Sequence, residues 1–319
     1  MKYIIVGFGN IGHKRQAILG PRCIATVDPD PRTKADFADS SQVPRSLIDE
    51  CRAVIVAVPR QPKLELVEYW LLRSKHVLVE KPVVITKTQA KRLQSIARKN
   101  KVIWYTAYNH RFEPNIARIK KLLAKKTIGK LYHGQIAYGF GNVKELKKTW
   151  RETGYGVLDE VGCHLVDFAH WFYGYRAEDF RGERFGSNEL SVWDYCTFGT
   201  TDGKLIAEAS WVTWKNSFSI EFFGSLGSIH LSGLCKWGTS RLTIRTRIFP
   251  AGVPIEKIFV EKGPDQTWTK DLKYFENQVR QNKTTYDNDL VTSQALVNIA
   301  KSLDQKLKNE QVYKKLKGL

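Results

Sequence analysis

Met1-Lys2-Tyr3-Ile4-Ile5-Val6-Gly7-Phe8-Gly9-Asn10-Ile11-Gly12 is the stretch on which the reading of the whole chain turns. Tyr3 to Val6 is a short run of β-branched and aromatic residues, the composition of a buried strand. A GxGxxG follows and opens an amphipathic segment, so the glycines stand between a strand and a helix. In that setting each has its own duty. Gly7 permits a tight turn, Gly9 lets the backbone approach a pyrophosphate, and Gly12 allows the helix to pack close on the sheet, with its N-terminus facing the phosphates. Phe8, Asn10 and Ile11 complete the candidate loop.

Asp28 closes the second expected strand, where a carboxylate can accept hydrogen bonds from both hydroxyls of an adenosine ribose. Its charge would repel a 2′-phosphate, and no arginine or serine directly follows it, so NAD is expected in preference to NADP. A Walker-type loop fits worse, because no GK[ST] ends the run. To about residue 106, β-branched runs alternate with amphipathic ones, the pattern of parallel strands joined by crossover helices. Strands are expected at 3–6, 23–27, 53–57, 77–80 and 102–106, and helices near 11–19, 64–73 and 86–98, with Thr86 as the N-cap of the last. Beyond residue 108 come a helix (114–125), a strand (131–140), a helix (158–172), then a β-rich tract with strands at 191–198, 205–214, 217–223, 228–231, 242–249 and 257–261. Within it Phe218, Ile220 and Phe222 alternate with Ser217, Ser219 and Glu221, which is period two and marks a half-buried strand. Two helices, 271–281 and 289–306, end the chain. The expected fold class is therefore α/β. A Rossmann doubly wound parallel sheet occupies residues 1–107, and residues 108–319 form an α+β domain on a large, mainly antiparallel, open-faced sheet, its last helix packing back toward the first domain.

The length of 319 residues suits about two domains. Apolar residues at 42% and charged residues at 26% are ordinary globular usage. The longest apolar run, Ala53 to Val58, falls far short of the ~20 residues of a membrane span. The first residues enter a strand at once and leave no room for a leader, so a cytoplasmic protein is expected. Five cysteines, odd in number and without CxxC spacing, read as reduced thiols and not as a disulfide framework or zinc ribbon. Lys and Arg number 51 against 32 Asp and Glu, a net charge of +19. That raises nonspecific attraction to nucleic acid, anionic lipid or phosphorylated small molecules without choosing among them. Solvated helix faces such as Lys91-Arg92 and Lys120-Lys121 account for much of it, which argues against a specific nucleic-acid partner.

Val77-Leu78-Val79-Glu80-Lys81-Pro82 sets a lysine at the C-terminal end of a strand, the sheet edge at which ligands sit in such folds. Lys81 could exchange a proton with a substrate hydroxyl if burial and a cationic ring beside it hold its amine near neutrality; the plain alternative is a surface lysine before a turn. Pro82 raises the odds of a cis Lys81-Pro82 bond. Farther on, Glu160, His164, Asp167 and Trp171 fall at i, i+4, i+7 and i+11 on one helix face, and Val161, Leu165, Phe168 and Phe172 on the other. His164 could bond a substrate hydroxyl, with Asp167 orienting its ring. A satisfied structural histidine and a metal site are the alternatives, and since the spacing is no known ligand motif, no metal is expected. Asn109-His110-Arg111-Phe112 follows the fifth strand, where Asn109 could reach a ribose or the substrate and Arg111 offers a fork for anions. Trp150, Arg151 and Tyr155 have the composition of a sugar-binding loop, though each could equally be core or surface.

Taken in order, Gly7-x-Gly9-x-x-Gly12, Asp28, Glu80-Lys81-Pro82, Asn109-His110-Arg111-Phe112, Gly162-x-His164-x-x-Asp167 with Trp171, and Gly224-Ser225-Leu226-Gly227-Ser228-Ile229 resemble the glucose-fructose oxidoreductase, inositol dehydrogenase and rhizopine-catabolism (Gfo/Idh/MocA) family. The resemblance is strongest to about residue 174. It implies a Rossmann domain, an open-faced sheet that forms a homodimer or homotetramer, and a sugar, cyclitol or nucleotide sugar as substrate. It places the catalytic groups on Lys81 and His164. The cofactor contacts are expected from Gly7, Phe8, Gly9, Asn10, Ile11, Gly12, Asp28, Val58, Pro59, Glu80, Lys81 and Asn109, and the substrate contacts from Lys81, Asn109, Arg111, Trp150, Arg151, Tyr155, Glu160 and His164. Two departures stand out: Glu160, with Asp159 beside it, replaces an aspartate common in the family, and Lys63 replaces a histidine, adding positive charge that favours an acidic or phosphorylated substrate. The expected activity is NAD-dependent hydride transfer to or from a secondary hydroxyl or its ketone. Its rivals are redox-neutral glycoside cleavage or epimerisation on a retained NAD, and a non-catalytic NAD- or sugar-sensing regulator or nucleic-acid partner.

Overall fold

In a computed structural model, which describes residues 1–141, 143–283 and 287–317, β1 (Tyr3–Val6) is buried at every position. Ile4 and Val6 enter one apolar cluster and Tyr3 and Ile5 another, so the strand is covered on both faces. That is why it reads as a continuous apolar run without alternation. It lies inside a parallel five-stranded sheet of order β2-β1-β3-β4-β5, with β2 Cys23–Val27, β3 Ala53–Val56, β4 His76–Glu80 and β5 Trp104–Ala107. Helices α1 (Asn10–Leu19), α3 (Lys63–Leu72) and α4 (Lys87–Lys99) join the strands, as expected from their spacing, and a short α2 (Arg45–Glu50) adds a turn that the pattern does not announce. Thr86 caps α4 in a reciprocal box: its hydroxyl accepts the Gln89 N–H and the Gln89 side chain accepts the Thr86 N–H.

The chain forms two compact units, and they are not contiguous: one comprises Met1–Asn109 with Gln266–Leu290, the other His110–Asp265 with Val291–Leu319. A single boundary after residue 107 thus misses an exchange. The reason is apolar area, because Leu272, Phe275 and Val279 on α7 (Thr267–Gln281) are buried with Tyr3, Ile5, Leu78, Ile103 and Tyr105, and cover the second face of the parallel sheet.

The second unit carries an eight-stranded sheet of order β13-β12-β11-β10-β6-β9-β8-β7. Its strands are β6 Leu131–Gly139, β7 Phe180–Gly186, β8 Tyr195–Thr200, β9 Leu205–Ser210, β10 Ser217–Gly224, β11 Gly227–Ser232, β12 Ser240–Thr246 and β13 Ile255–Glu261. All neighbours are antiparallel except β6 and β9. The inward residues Ile136, Phe218, Ile220, Phe222, Ile229 and Leu242 pack with α5 (Pro114–Ala124), α6 (Cys163–Tyr173) and the Ala295 to Leu303 stretch of α8 (Asp287–Lys317) in one core. One π-helical turn, Leu158–Gly162, leads into α6.

Candidate functional site

In the first unit, parallel pairing sets the candidate residues along one edge. Val6, Val56 and Val79 are in register across β1, β3 and β4, so the residues that follow them, Gly7, Ala57 and Glu80, come level at one edge, and Lys81 follows Glu80 immediately. The strand order reverses at β1, which places the glycine loop at the topological switch point of the sheet.

The three glycines answer different constraints. Gly7 has φ of +92° and a Cβ there would lie 2.5 Å from the Ala57 carbonyl oxygen and 2.8 Å from the Val58 nitrogen. A Cβ on Gly12 would lie 2.3 Å from the Gly7 carbonyl oxygen, whereas one on Gly9 meets no atom within 4 Å. Gly9 is therefore needed for neither turn nor packing, and the space before it is what close approach by a phosphate requires. Asn10 and Ile11 start α1, whose first turn has no acidic residue and whose N-terminal N–H groups and dipole favour an anion. Asp28 sits beside this loop: one carboxylate oxygen accepts the Phe8 N–H at 2.6 Å and the other the Asp30 N–H at 2.9 Å. Phe8 is buried against His13, Val58 is half-buried next to Gly7, and Pro59 is exposed. These features fit a dinucleotide: Gly7 to Gly12 would take the pyrophosphate and Asp28 the ribose hydroxyls.

Three expectations change in this unit. The Glu80 carboxylate does not line the edge but accepts Arg15 Nε at 2.8 Å and Nη2 at 2.6 Å, and Asp271 takes Nη2 at 2.7 Å. Burial works against the Arg15 cation, and the two carboxylates outweigh it, holding the guanidinium charged. Asn109 is buried and donates its amide to Thr267 Oγ1 at 2.9 Å. Lys63 is 2% exposed. Its Nζ donates to the carbonyls of Glu80 at 2.7 Å and Pro82 at 2.8 Å, so the extra charge is spent on the backbone around Lys81 and not on a substrate anion. Lys81 itself is half-buried and its bond to Pro82 is cis.

The second unit holds the polar helix. His164 is buried on α6 and stacks on His110 with ring centroids 4.3 Å apart and planes 19° from parallel. Asp167 does not orient the imidazole; its carboxylate takes both arms of Arg111, Nε at 2.8 Å and Nη2 in a shorter bond. Arg111 thus presents no open anion fork, and burial pushes the Asp167 carboxyl above the usual carboxylate range against the pull of that guanidinium. The two neighbouring acids separate: Asp159 accepts the Tyr155 N–H at 2.8 Å, and Glu160 accepts Arg151 Nε at 2.8 Å. Arg151 also lies over Trp150, 4.5 Å from its ring centroid, and Trp150 is 41% exposed. Tyr155 packs on Trp193. Trp150, Arg151 and Glu160 therefore form one group, while Tyr155 is held by Asp159 and Trp193.

Sequence reasoning left Tyr138 and Lys236 unread and took His110 only as part of a motif. Lys236 Nζ donates to the Tyr138 hydroxyl at 2.8 Å, and that hydroxyl lies 2.9 Å from His110 Nε2. Burial pushes the Tyr138 phenol well above its ordinary range, so it stays protonated and its O–H is available to His110. Nothing in the local pattern marks Tyr138 as polar machinery, because it occupies an inward, apolar position of β6. Among the described residues no group of three or more His, Cys, Asp or Glu is placed to hold a metal ion, and no helix is long and apolar enough to cross a membrane. All five cysteines are free, four of them buried.

A parallel sheet with a glycine loop open at its switch point, in a chain that also builds a large mixed sheet bearing a polar helix, defines a Rossmann protein with an appended sheet domain. The family model described as the oxidoreductase family with NAD-binding Rossmann fold of GFO/IDH/MocA matches residues 1–108, and the GFO/IDH/MocA C-terminal domain matches residues 116–230. The chain belongs to the Gfo/Idh/MocA oxidoreductase family. Among curated relatives it is 24% identical over 165 residues to levoglucosan dehydrogenase of Pseudarthrobacter phenanthrenivorans, covering 48% of this chain and 42% of that protein. It is 27% identical over 124 residues to scyllo-inositol 2-dehydrogenase (NADP(+)) of Bacillus subtilis, covering 38% of this chain and 34% of the relative. The chain thus spans less than half the length of these curated relatives. Among solved structures, levoglucosan dehydrogenase in complex with NADH superposes with a TM-score of 0.76 at 17% identity, covering 95% of this chain and 98% of the other, which shows the shared fold.

Proposed function

We propose that this protein is an NAD-dependent dehydrogenase acting on a secondary hydroxyl, or the corresponding ketone, of a sugar, cyclitol or nucleotide sugar. The observation that carries the reading is the register of the parallel sheet, which puts Lys81 one residue past the level of Gly7, where the glycine loop begins, with Gly9 facing open space and Asp28 beside it. When bound, the dinucleotide supplies the hydride acceptor or donor. The Lys81 amine takes the proton of the substrate hydroxyl during oxidation and returns it during reduction. Within the second unit, His164 held against His110 offers a polar group for a hydroxyl, and the exposed Trp150 with Arg151 suits a sugar ring. The Asp28 carboxylate favours NAD over NADP, since a 2′-phosphate would face it at close range.

The test is a screen of levoglucosan, scyllo-inositol, sugar phosphates and nucleotide sugars with NAD+ and with NADP+, following the absorbance of the reduced cofactor. Turnover with NAD+, and a loss of about a hundredfold or more in kcat for Lys81→Ala, is the expected result. Full turnover in that variant removes Lys81 from its role. A substrate consumed without accumulation of free NADH points instead to the redox-neutral chemistry.

A further inference from the structure

Lys63 is a buried cation at the first position of α3, where the helix dipole disfavours positive charge. A buried ammonium is retained only when hydrogen bonds replace its lost hydration. Its Nζ donates to the carbonyls of Glu80 and Pro82, the residues on either side of Lys81. Glu80 is held at its other end too, because its carboxylate takes two donors from Arg15. One ammonium therefore ties the end of β4 to the residue after Lys81, and an apolar side chain at position 63 would leave two buried carbonyls without this donor.

We propose that Lys63 is a positioning residue for Lys81: by bonding the backbone on both sides of it, Lys63 fixes the point from which the Lys81 amine is presented. The inference rests on the reading that Lys81 moves the proton. Proton transfer demands placement within a few tenths of an ångström, so loosening that anchor lowers kcat without touching the glycine loop that holds the dinucleotide.

The experiment compares Lys63→Met, Lys63→Arg, Lys81→Ala and the double variant Lys63→Met/Lys81→Ala, using the polyol that the screen above selects and NAD+ as the binding probe, its dissociation constant read from tryptophan fluorescence. Lys63→Met lowers kcat about tenfold or more and leaves the NAD+ dissociation constant within about twofold. Lys63→Arg, which keeps the charge and can donate to both carbonyls, holds kcat within about threefold of the wild type. On the Lys81→Ala background the Met substitution costs less than about twofold more, because a positioning residue then has nothing to position. Unchanged kcat in Lys63→Met, or the same tenfold loss repeated on the Lys81→Ala background, overturns the inference and leaves the role of Lys81 standing. Full turnover in Lys81→Ala, or a screen in which nothing is turned over, overturns the underlying reading and the inference with it. Should circular dichroism show Lys63→Met unfolded, Lys63→Gln takes its place: a neutral amide one atom shorter, it cannot span both carbonyls, and it is held to the same two criteria.

Discussion

His76 opens β4 with its side chain buried, and its Nδ1 accepts the Ile103 N–H at 3.2 Å. Burial, with a smaller push from Arg52, brings its pKa down to about 4. The sign of the consequence follows from proton counting. Between about pH 6.5 and pH 4 the unfolded chain carries a proton on this histidine that the folded protein does not, so its contribution is whole above that window and is lost as the pH falls through it. His76→Asn keeps an acceptor for Ile103 and removes the titration. Urea unfolding at pH 7 and pH 4.5 should show the stability advantage of the wild type over the variant shrinking by about 2 to 3 kcal/mol at the lower pH. An unchanged difference would mean the ring is hydrated when folded. The same limit on sequence reading holds at Lys63 and Arg111. Both read as available cations, and only their partners, two backbone carbonyls for one and Asp167 for the other, show that the charge is already engaged.

At the level of the element, the turn between β1 and α1 separates what folding needs from what binding needs. Gly9→Ala should fold with a stability loss below about 1 kcal/mol, since its Cβ enters open space and its φ of −75° is ordinary, yet it should weaken NAD+ binding about tenfold or more by occupying the phosphate's approach. Gly12→Ala should instead cost about 1 to 3 kcal/mol of stability, because its Cβ collides with the Gly7 carbonyl. Thermal unfolding and NAD+ titration on both variants check the pair, and equal effects on binding and stability at the two sites would contradict it. Helix α4 was legible down to its cap, since Thr86 and Gln89 carry the signal locally. Strand β7 was not: Phe-Arg-Gly-Glu-Arg-Phe-Gly has two glycines and little apolar alternation, and Gly182 is required there because a Cβ would strike Leu303 at 2.3 Å. That demand comes from a helix more than a hundred residues later in the chain.

For the whole molecule, the charge of +19 makes some attraction to polyanions unavoidable. If that attraction is only the field of solvated lysines and arginines, mobility-shift binding to duplex DNA should be insensitive to sequence and should weaken by at least about tenfold between 50 and 200 mM salt. Tight, sequence-selective binding that survives physiological salt would favour the regulator reading over the dehydrogenase.

The Rossmann half and the alternation of β10 were legible in the chain because apolar runs, glycine spacing and strand period are local properties that residue types express directly, and the family was legible only as a resemblance in the order of its motifs. Packing in three dimensions was needed to show that α7 covers the parallel sheet, that Glu80 and Arg111 are spent on buried ion pairs, and that Lys63 turns inward to the backbone around Lys81. Those outcomes depend on which distant side chain arrives at van der Waals or hydrogen-bond distance, and no window along the chain contains that information.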